Sequence, residues 1–408
     1  MKTNIRSENT KRTNLERNKQ WNQTLRKQIN YLKGPIHMNT KHRFMIALSL
    51  MALAACCALG VSNAGAQTRL SYTLTDLGTL PDQPDSIPAA INHQGQVTGT
   101  SGVSVFRYTR TGKVPMEDVA RQSAKGISRG FGINDSGVVV GDSTFGKAFS
   151  HAVLFSNGTA MDLGTLKEAG NYSRANGINA SGQVIGFSSE QPDLASGRAF
   201  IVSTFDRFGM IDLGTLGGAY AQAWGINDSG FVTGNSESKS DFGATHAFIW
   251  ERKGGMVDLG TLAGDFSYGT SINEKNHVVG YSTINDRDLR VHAFLHNGQE
   301  MIDLGSLGGA SRESDLSYAL GVNDRDQVVG YSYIPWGGVD PLIHTARQVA
   351  FIYDGAYMLN LNDLIGDAAQ NYRLDCATAI NDKGQIVAIA YDYNVGAVRA
   401  VLLTPLSR

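Results

Sequence analysis

Gly132-Ile133-Asn134-Asp135-Ser136-Gly137-Val138-Val139-Val140-Gly141 reads as two strands joined by a tight turn. Asn starts a type I turn, and the Gly three residues later supplies the left-handed backbone that closes it. The flanking runs are apolar and β-branched, which favours strand. The same Asn recurs seven times, at Asn92, Asn134, Asn179, Asn227, Asn273, Asn323 and Asn381, spaced 42 to 58 residues apart. A period of that size, repeated, means an array of one supersecondary unit.

Two further strings follow each turn in fixed order. One is His246-Ala247-Phe248-Ile249-Trp250, with relatives at Val105, His151, Arg198, His292, Val349 and Arg399. The other is Asp-Leu-Gly-Thr-Leu, at Asp76, Asp162, Asp212, Asp258 and, with Ser for Thr, Asp303. Worn forms lie at Met116-Glu117-Asp118-Val119 and Asn362-Asp363-Leu364. Each unit therefore offers four strands: one ending at the Asn, the Val-Val-Gly run, the His-Ala-Phe string and the Asp-Leu-Gly string. The second strand is apolar on consecutive residues, the pattern of a sheet covered on both faces. Gly at the strand ends is expected to let neighbouring sheets splay from a narrow centre. No segment of the body carries a sustained helical period.

Units of four strands and this length predict an all-β, seven-bladed β-propeller of four-stranded blades. The last unit ends after its third strand, Arg399–Leu403, while the body opens with an orphan fourth strand, Tyr72–Gly78. Pairing the two closes the ring and removes exposed sheet edges. An open β-solenoid is the alternative, but it leaves the offset ends unexplained.

The His-Ala-Phe string, taken with Asp-Leu-Gly-Thr-Leu-Gly-Gly and Gly-Ile-Asn-Asp-x-Gly, resembles the bacterial extracellular HAF-repeat family over residues 72–406. The resemblance implies export and a repeat fold, and carries over no catalytic residues. Blades 1 and 7 depart most from the pattern, with Val105-Phe106 for His-Ala-Phe and Val387-Ala388 for Val-Gly.

The first 66 residues read as targeting sequence. Lys41, His42 and Arg43 precede an apolar run from Phe44 to Val61, and Ala64-Gly65-Ala66 follows. A basic flank, an apolar core and a small-residue exit make a secretory signal peptide, cleaved after Ala66. Translation is expected to start at Met38, because the residues before it are too many and too charged for a signal-peptide lead. Leu53-Ala54-Ala55-Cys56 also resembles a lipobox, which would lipidate Cys56 and make the protein a lipoprotein. A third reading is an uncleaved signal anchor, since residues 44–61 just reach spanning length. All three export residues 67–408, the propeller domain, to the periplasm, the cell envelope or the medium.

Charge and cysteines exclude several classes. Of the chain's 36 basic and 37 acidic residues, 11 and two fall in 1–66, leaving 25 against 35 in the body. So acidic a body does not suit a nucleic-acid backbone. The body keeps one cysteine, Cys376, which leaves no internal disulfide and no Cys-based metal site. No cofactor motif appears, and a monomer is expected.

The repeated polar residues are expected to be structural: the Asn as a turn former, the Asp as an acceptor for backbone donors near the following Gly. Equivalents on adjacent blades sit too far apart to share one metal ion at bond lengths of about 2.0–2.1 Å. Binding should instead use loops that vary between blades, namely the loop between strands two and three and the inter-blade loop. The longest of these, Tyr333 to Gln348 in blade 6, offers Trp336, Asp340, His344 and Arg347 as binding candidates. Tyr172, Tyr220 and Phe266 each lie seven residues before their blade's Asn and form a second set, as a binding rim or as wedges between blades. The sequence favours a non-enzymatic scaffold that binds a glycan or a protein. An envelope polysaccharide lyase or hydrolase, and a purely structural surface repeat protein, are the alternatives. Unrepeated charged groups converging on the channel would mark a site.

Overall fold

The computed structural model describes residues 70–406, apart from 112–114, 121–125, 147, 168–169, 191–196, 204–208, 240–242, 286–289, 310–312 and 337–344. The signal peptide, Cys56 and the Met38 start lie outside the described residues.

Seven antiparallel four-stranded sheets form the blades of a β-propeller. Blade 2 shows the plan: Ser128–Ile133 innermost, then Val139–Ser143, His151–Ser156 and Thr159–Gly164 at the rim. The inner strands line the axis, and each ends at its Asn. That places the Asn turns on one face and the variable loops on the other. Apart from single 3-10 turns at Leu361–Asp363 and Gly366–Gln370, the described residues hold no helix.

Blade 7 is closed by the chain's beginning. Tyr72–Asp76 pairs antiparallel with Ala397–Pro405, in register from Tyr72 opposite Pro405 to Asp76 opposite Val401. The orphan strand and the incomplete last unit therefore complete each other.

In five of the blades packing is set by one Gly and one Phe, while blade 2 sets Gly141 against Val153 and blade 7 Ala388 against Val401. The Gly of the second strand faces the third-strand Phe, as Gly234 faces Phe248 and Gly280 faces Phe294. These Phe side chains are fully buried. On the other side the Gly meets a bulge in the inner strand, where the register shifts between Gly269 and Ser271 in blade 5. A Cβ on Gly280 would lie 1.8 Å from the Tyr268 carbonyl oxygen. The Gly is thus required by close backbone approach, not by the splay of the sheets. Blade 7, with Ala388 at this position, sets it opposite Ala377 beside a register shift between Ala377 and Ala379.

The blades are stitched by small polar side chains. Ser267, which opens blade 5, accepts the Ala247 N–H of blade 4 at 2.8 Å and donates to the Gly260 carbonyl at 2.5 Å. Ser173 and Ser317 do the same for their preceding blades. One expectation fails in blade 6. Its outer strand is Met358–Asn360, and Asn360 faces Phe351 where Asp303 faces Phe294 in blade 5. Asn362-Asp363-Leu364 is instead the 3-10 turn that follows, and Asn362 bonds both backbone groups of Leu374 in blade 7.

Candidate functional site

The repeated Asn residues are buried, at 3–7% exposure. Each Oδ1 accepts the N–H four residues on, at 2.9–3.1 Å, which holds its own turn. Each Nδ2 donates to the backbone carbonyl of the next blade's Asn, at 2.9–3.2 Å, and the seventh returns to Asn92. The Asn is a turn former, as expected, and also an inter-blade tie. The repeated Asp accepts the N–H two residues on at 2.7–2.9 Å, from Gly78 through Gly305. The three third-strand His residues pair with the Asp of their own blade: His151 with Asp162, His246 with Asp258 and His292 with Asp303. These side chains already have partners within the fold.

Five acidic residues follow the Asn around the axis: Asp135, Asp228, Glu274, Asp324 and Asp382. They line a cavity of about 200 Å3 at the Asn mouth. Their carboxylates accept backbone N–H groups from the preceding blade, as Asp324 accepts from Glu274 at 2.9 Å and Asp382 from Asp324 at 2.8 Å. His93 sits between Asp135 and Asp382, at 3.2 Å and 2.5 Å. Burial works against its charged form, yet the Asp382 and Asp135 carboxylates hold its pKa above the ordinary value. With a carboxylate on each ring nitrogen, His93 is a poor general base and a good clasp across the blade 7–blade 1 seam. Among the described residues no group of three or more His, Cys, Asp or Glu is placed to hold a metal ion.

The other half of the channel differs. Position three before each Asn lines a cavity of about 280 Å3, and its chemistry changes around the ring: Ala89 in blade 1, Phe131, Asn176 and Trp224 in blades 2–4, against Thr270, Leu320 and Thr378 in blades 5–7. Position five before each Asn faces the second strand. It too changes with the blade: Arg129 opposite Asp142, Arg174 opposite Phe187, Gln222 opposite Asn235, Tyr268 opposite Tyr281, Tyr318 opposite Tyr331.

Two neighbourhoods result. In blades 5 and 6 the tyrosines stack, Tyr268 on Tyr281 at 4.9 Å and Tyr318 on Tyr331 at 4.7 Å, with Tyr281 edge-on to Tyr318. Burial raises the pKa of all four. In blades 2–4 cations meet aromatics. The Arg174 guanidinium lies 3.6 Å from the Phe131 ring centroid and 5.6 Å from that of Trp224. Trp224 donates its indole N–H to Asn235 at 2.7 Å, which fixes the ring. Arg129 makes a two-pronged pair with Asp142, at 2.9 Å and 2.5 Å. Asp142 is therefore committed. Among the described residues Arg174 has no ion pair, and its Nε is buried without a hydrogen-bond partner. Asn176, 8% exposed, donates to the Ala223 carbonyl, but its Oδ1 is buried and unpartnered.

The residues singled out from sequence that the structure describes are not brought together. Half of the expected blade 6 loop, Tyr333–Trp336 and Thr345–Gln348, is strand: Val328–Trp336 and Thr345–Tyr353 pair out to Trp336 opposite Thr345. Asp340, His344 and the Trp336 side chain lie outside the described residues. Arg347 is half-buried and donates to the Tyr393 hydroxyl of blade 7 at 3.3 Å. Tyr172 opens the inner strand of blade 3, is buried, and packs on Phe187 at 5.8 Å. Tyr220 is half-buried, its hydroxyl bonded to Thr245 of its own blade. Phe266 is half-buried just before the inner strand of blade 5. Among the described residues no ring contact joins Tyr172, Tyr220 and Phe266.

Arg129, Arg174, Asn176 and Trp224 were missed because a search for repeats discards what does not repeat. The signal that finds them is a fixed offset from the Asn at which residue identity changes from blade to blade.

A family model described as a protein of unknown function, DUF3466, matches residues 218–397, from the inner strand of blade 4 to the third strand of blade 7. No curated protein matches the chain. Among solved structures, TolB from Acinetobacter baumannii is 10% identical, with 57% of this chain and 62% of that one covered at a TM-score of 0.39. The chain thus spans less than two thirds of that protein. A TolB from Agrobacterium tumefaciens is 11% identical, covering 83% of this chain and 99% of that one at a TM-score of 0.40. An acylaminoacyl peptidase from Pyrococcus horikoshii is 9% identical, covering 83% and 52% at a TM-score of 0.45.

Proposed function

We propose that the protein is an exported, non-catalytic scaffold that binds a glycan or a protein through its variable-loop face. The observation that carries this reading is the unrepeated chemistry at the channel end nearest that face. Seven blades share one backbone plan, yet the pair of residues five and three before the Asn differs on every blade, from Arg129 and Phe131 in blade 2 through Arg174 and Asn176, and Gln222 and Trp224, to Tyr268 and Thr270 in blade 5. A purely structural repeat has no need of that variation.

The lyase or hydrolase reading is less well supported. Carboxylate pairs for sugar hydrolysis stand about 5–9.5 Å apart with one free to protonate. At this end Asp142 is locked to Arg129, and at the other mouth the carboxylates are occupied by backbone donors. Export rests on the order of basic, apolar and small residues up to Ala66 and on the HAF-repeat resemblance. Mass spectrometry of envelope and medium fractions tests it: a mature N-terminus at Gln67 is expected, and one starting with lipidated Cys56 would identify a lipoprotein.

An array of envelope polymers and glycans, scored for retention and for turnover, tests the function. Retention without turnover is expected. Cleavage of any retained polymer would establish the enzyme reading.

A further inference from the structure

Building on the binding-scaffold reading, we propose that the cavity lined by Phe131, Asn176 and Trp224 takes an acidic sugar residue, whose carboxylate pairs with Arg174. Three demands lie in that cavity or beside it, where Arg174 packs on the lining ring of Phe131. Arg174 is a cation without an ion pair among the described residues, held at Phe131 and Trp224 with its Nε lacking an acceptor. Asn176 Oδ1 is a buried acceptor lacking a donor. Phe131 and Trp224 line the same cavity with Asn176.

A buried polar atom left unbonded is destabilising, so two together mark a place where a ligand has something to supply. A uronic acid meets all three demands. Its carboxylate accepts from the guanidinium, a hydroxyl donates to Asn176 Oδ1, and the C–H face of its ring packs on an aromatic face. A fully ionised inorganic anion offers neither hydroxyl nor apolar face, and a neutral sugar offers no charge. The cavity, about 280 Å3, lies at the small end of ligand sites, which suits one terminal ring and not a threaded chain. Nearby Asp142 favours the charge on Arg174 from a distance but forms no ion pair with it among the described residues, and Arg129 holds both its oxygens.

The test titrates the folded protein calorimetrically with a galacturonate trisaccharide, its methyl ester and sodium sulfate. Saturable binding of the acid is expected, with affinity at least tenfold lower for the ester and no heat from sulfate alone. Arg174→Gln should lose at least tenfold for the acid with an unchanged melting temperature, and Arg174→Lys should recover part of it. Should Arg174→Gln fail to fold, the Trp224 indole N–H resonance in the unaltered protein gives a second readout, and it should shift with the acid and not with the ester. Equal binding of acid and ester, or an Arg174→Gln protein that binds as before, would overturn the acidic-sugar assignment. If the array retains a neutral glycan or a protein, and Arg347→Ala abolishes that retention while Arg174→Gln does not, the scaffold reading stands and this inference falls. If the array and the titrations all show no binding, both fall.

Discussion

Asn381 of blade 7 donates its Nδ2 to the carbonyl oxygen of Asn92 in blade 1 at 3.0 Å, across 289 residues of sequence. That bond closes a circle of seven identical ones. It joins the last full turn of the chain to the first, on the opposite face from the variable loops. Together with the pairing of Tyr72–Asp76 on the last blade it makes closure a property of both the axis and the rim.

The Asn circle has a measurable consequence. Asn381→Ala removes a turn acceptor and an inter-blade donor, leaving buried backbone groups unmet, and should cost about 1–3 kcal/mol. Asn381→Asp keeps the turn acceptor but sets a carboxylate against the Asn92 carbonyl. Thermal unfolding should show both variants clearly destabilised. An Asp variant as stable as the original would mean the inter-blade bond contributes nothing.

Rim closure is tested by truncation. Removing residues 70–79 takes away the outer strand of blade 7 and leaves Ala397–Pro405 as an exposed edge. The ring should melt as a whole at a lower temperature. An unchanged transition would contradict closure.

The Gly–bulge contact makes Gly280→Ala severe. Its Cβ would lie 1.8 Å from the Tyr268 carbonyl oxygen, and backbone is the obstacle. A loss of about 3 kcal/mol or more is expected, in the range of strong overpacking. Chemical denaturation measures it, and near-neutral behaviour would show that the inner strand yields.

The His292 cluster should leave a pH signature. His292 lies between Asp303 and Asp315, each at 2.9 Å. Burial opposes its charge, but the two carboxylates raise its pKa above the ordinary value. Burial likewise opposes Asp303 and Asp315, yet hydrogen bonds, from His292 to both and from Ser306 to Asp315, lower theirs. For the raised His, stabilisation is full below about pH 6.5 and is lost as pH rises through the folded value. For the lowered carboxylates, it is present above about pH 3.9 and is lost as pH falls through their folded values. The melting-temperature gap between the protein and His292→Gln should therefore be large near pH 5 and shrink toward pH 9. A gap that widens with pH would reverse the sign of this account.

The fold was readable because its determinants repeat. Asn-x-x-Gly, His-Ala-Phe and Asp-Leu-Gly appear often enough to fix strand order, blade count and the offset ends. Where repetition wears thin, the reading slips: Asp363 seemed to continue the Asp series, but Asn360 takes that place, because strand register counts backbone pairs and not letters. Much of the candidate site was invisible for the opposite reason. Asn176 and Trp224 share an offset but no identity with their counterparts, Arg174 shares its identity only with Arg129, and the contact of Arg174 with Phe131 crosses from blade 3 to blade 2. Long loops drew attention to Trp336 and Arg347 instead, since length is visible in a sequence and convergence on an axis is not.

The central claim is that recognition belongs to the variable-loop face. It is tested most directly by one comparison of retention on whichever array partner the protein binds. Arg347→Glu and Trp336→Ala alter the blade 6 hairpin on that face, and Lys383→Glu alters an exposed side chain in an Asn turn on the other. Lys383→Glu should change stability by no more than about 0.5 kcal/mol, as surface substitutions do, and a thermal melt of each hairpin variant ensures that retention is read on folded protein. At least one hairpin variant should lose retention while Lys383→Glu keeps it. Loss with Lys383→Glu and full retention with both hairpin variants would place recognition on the Asn face and contradict the account.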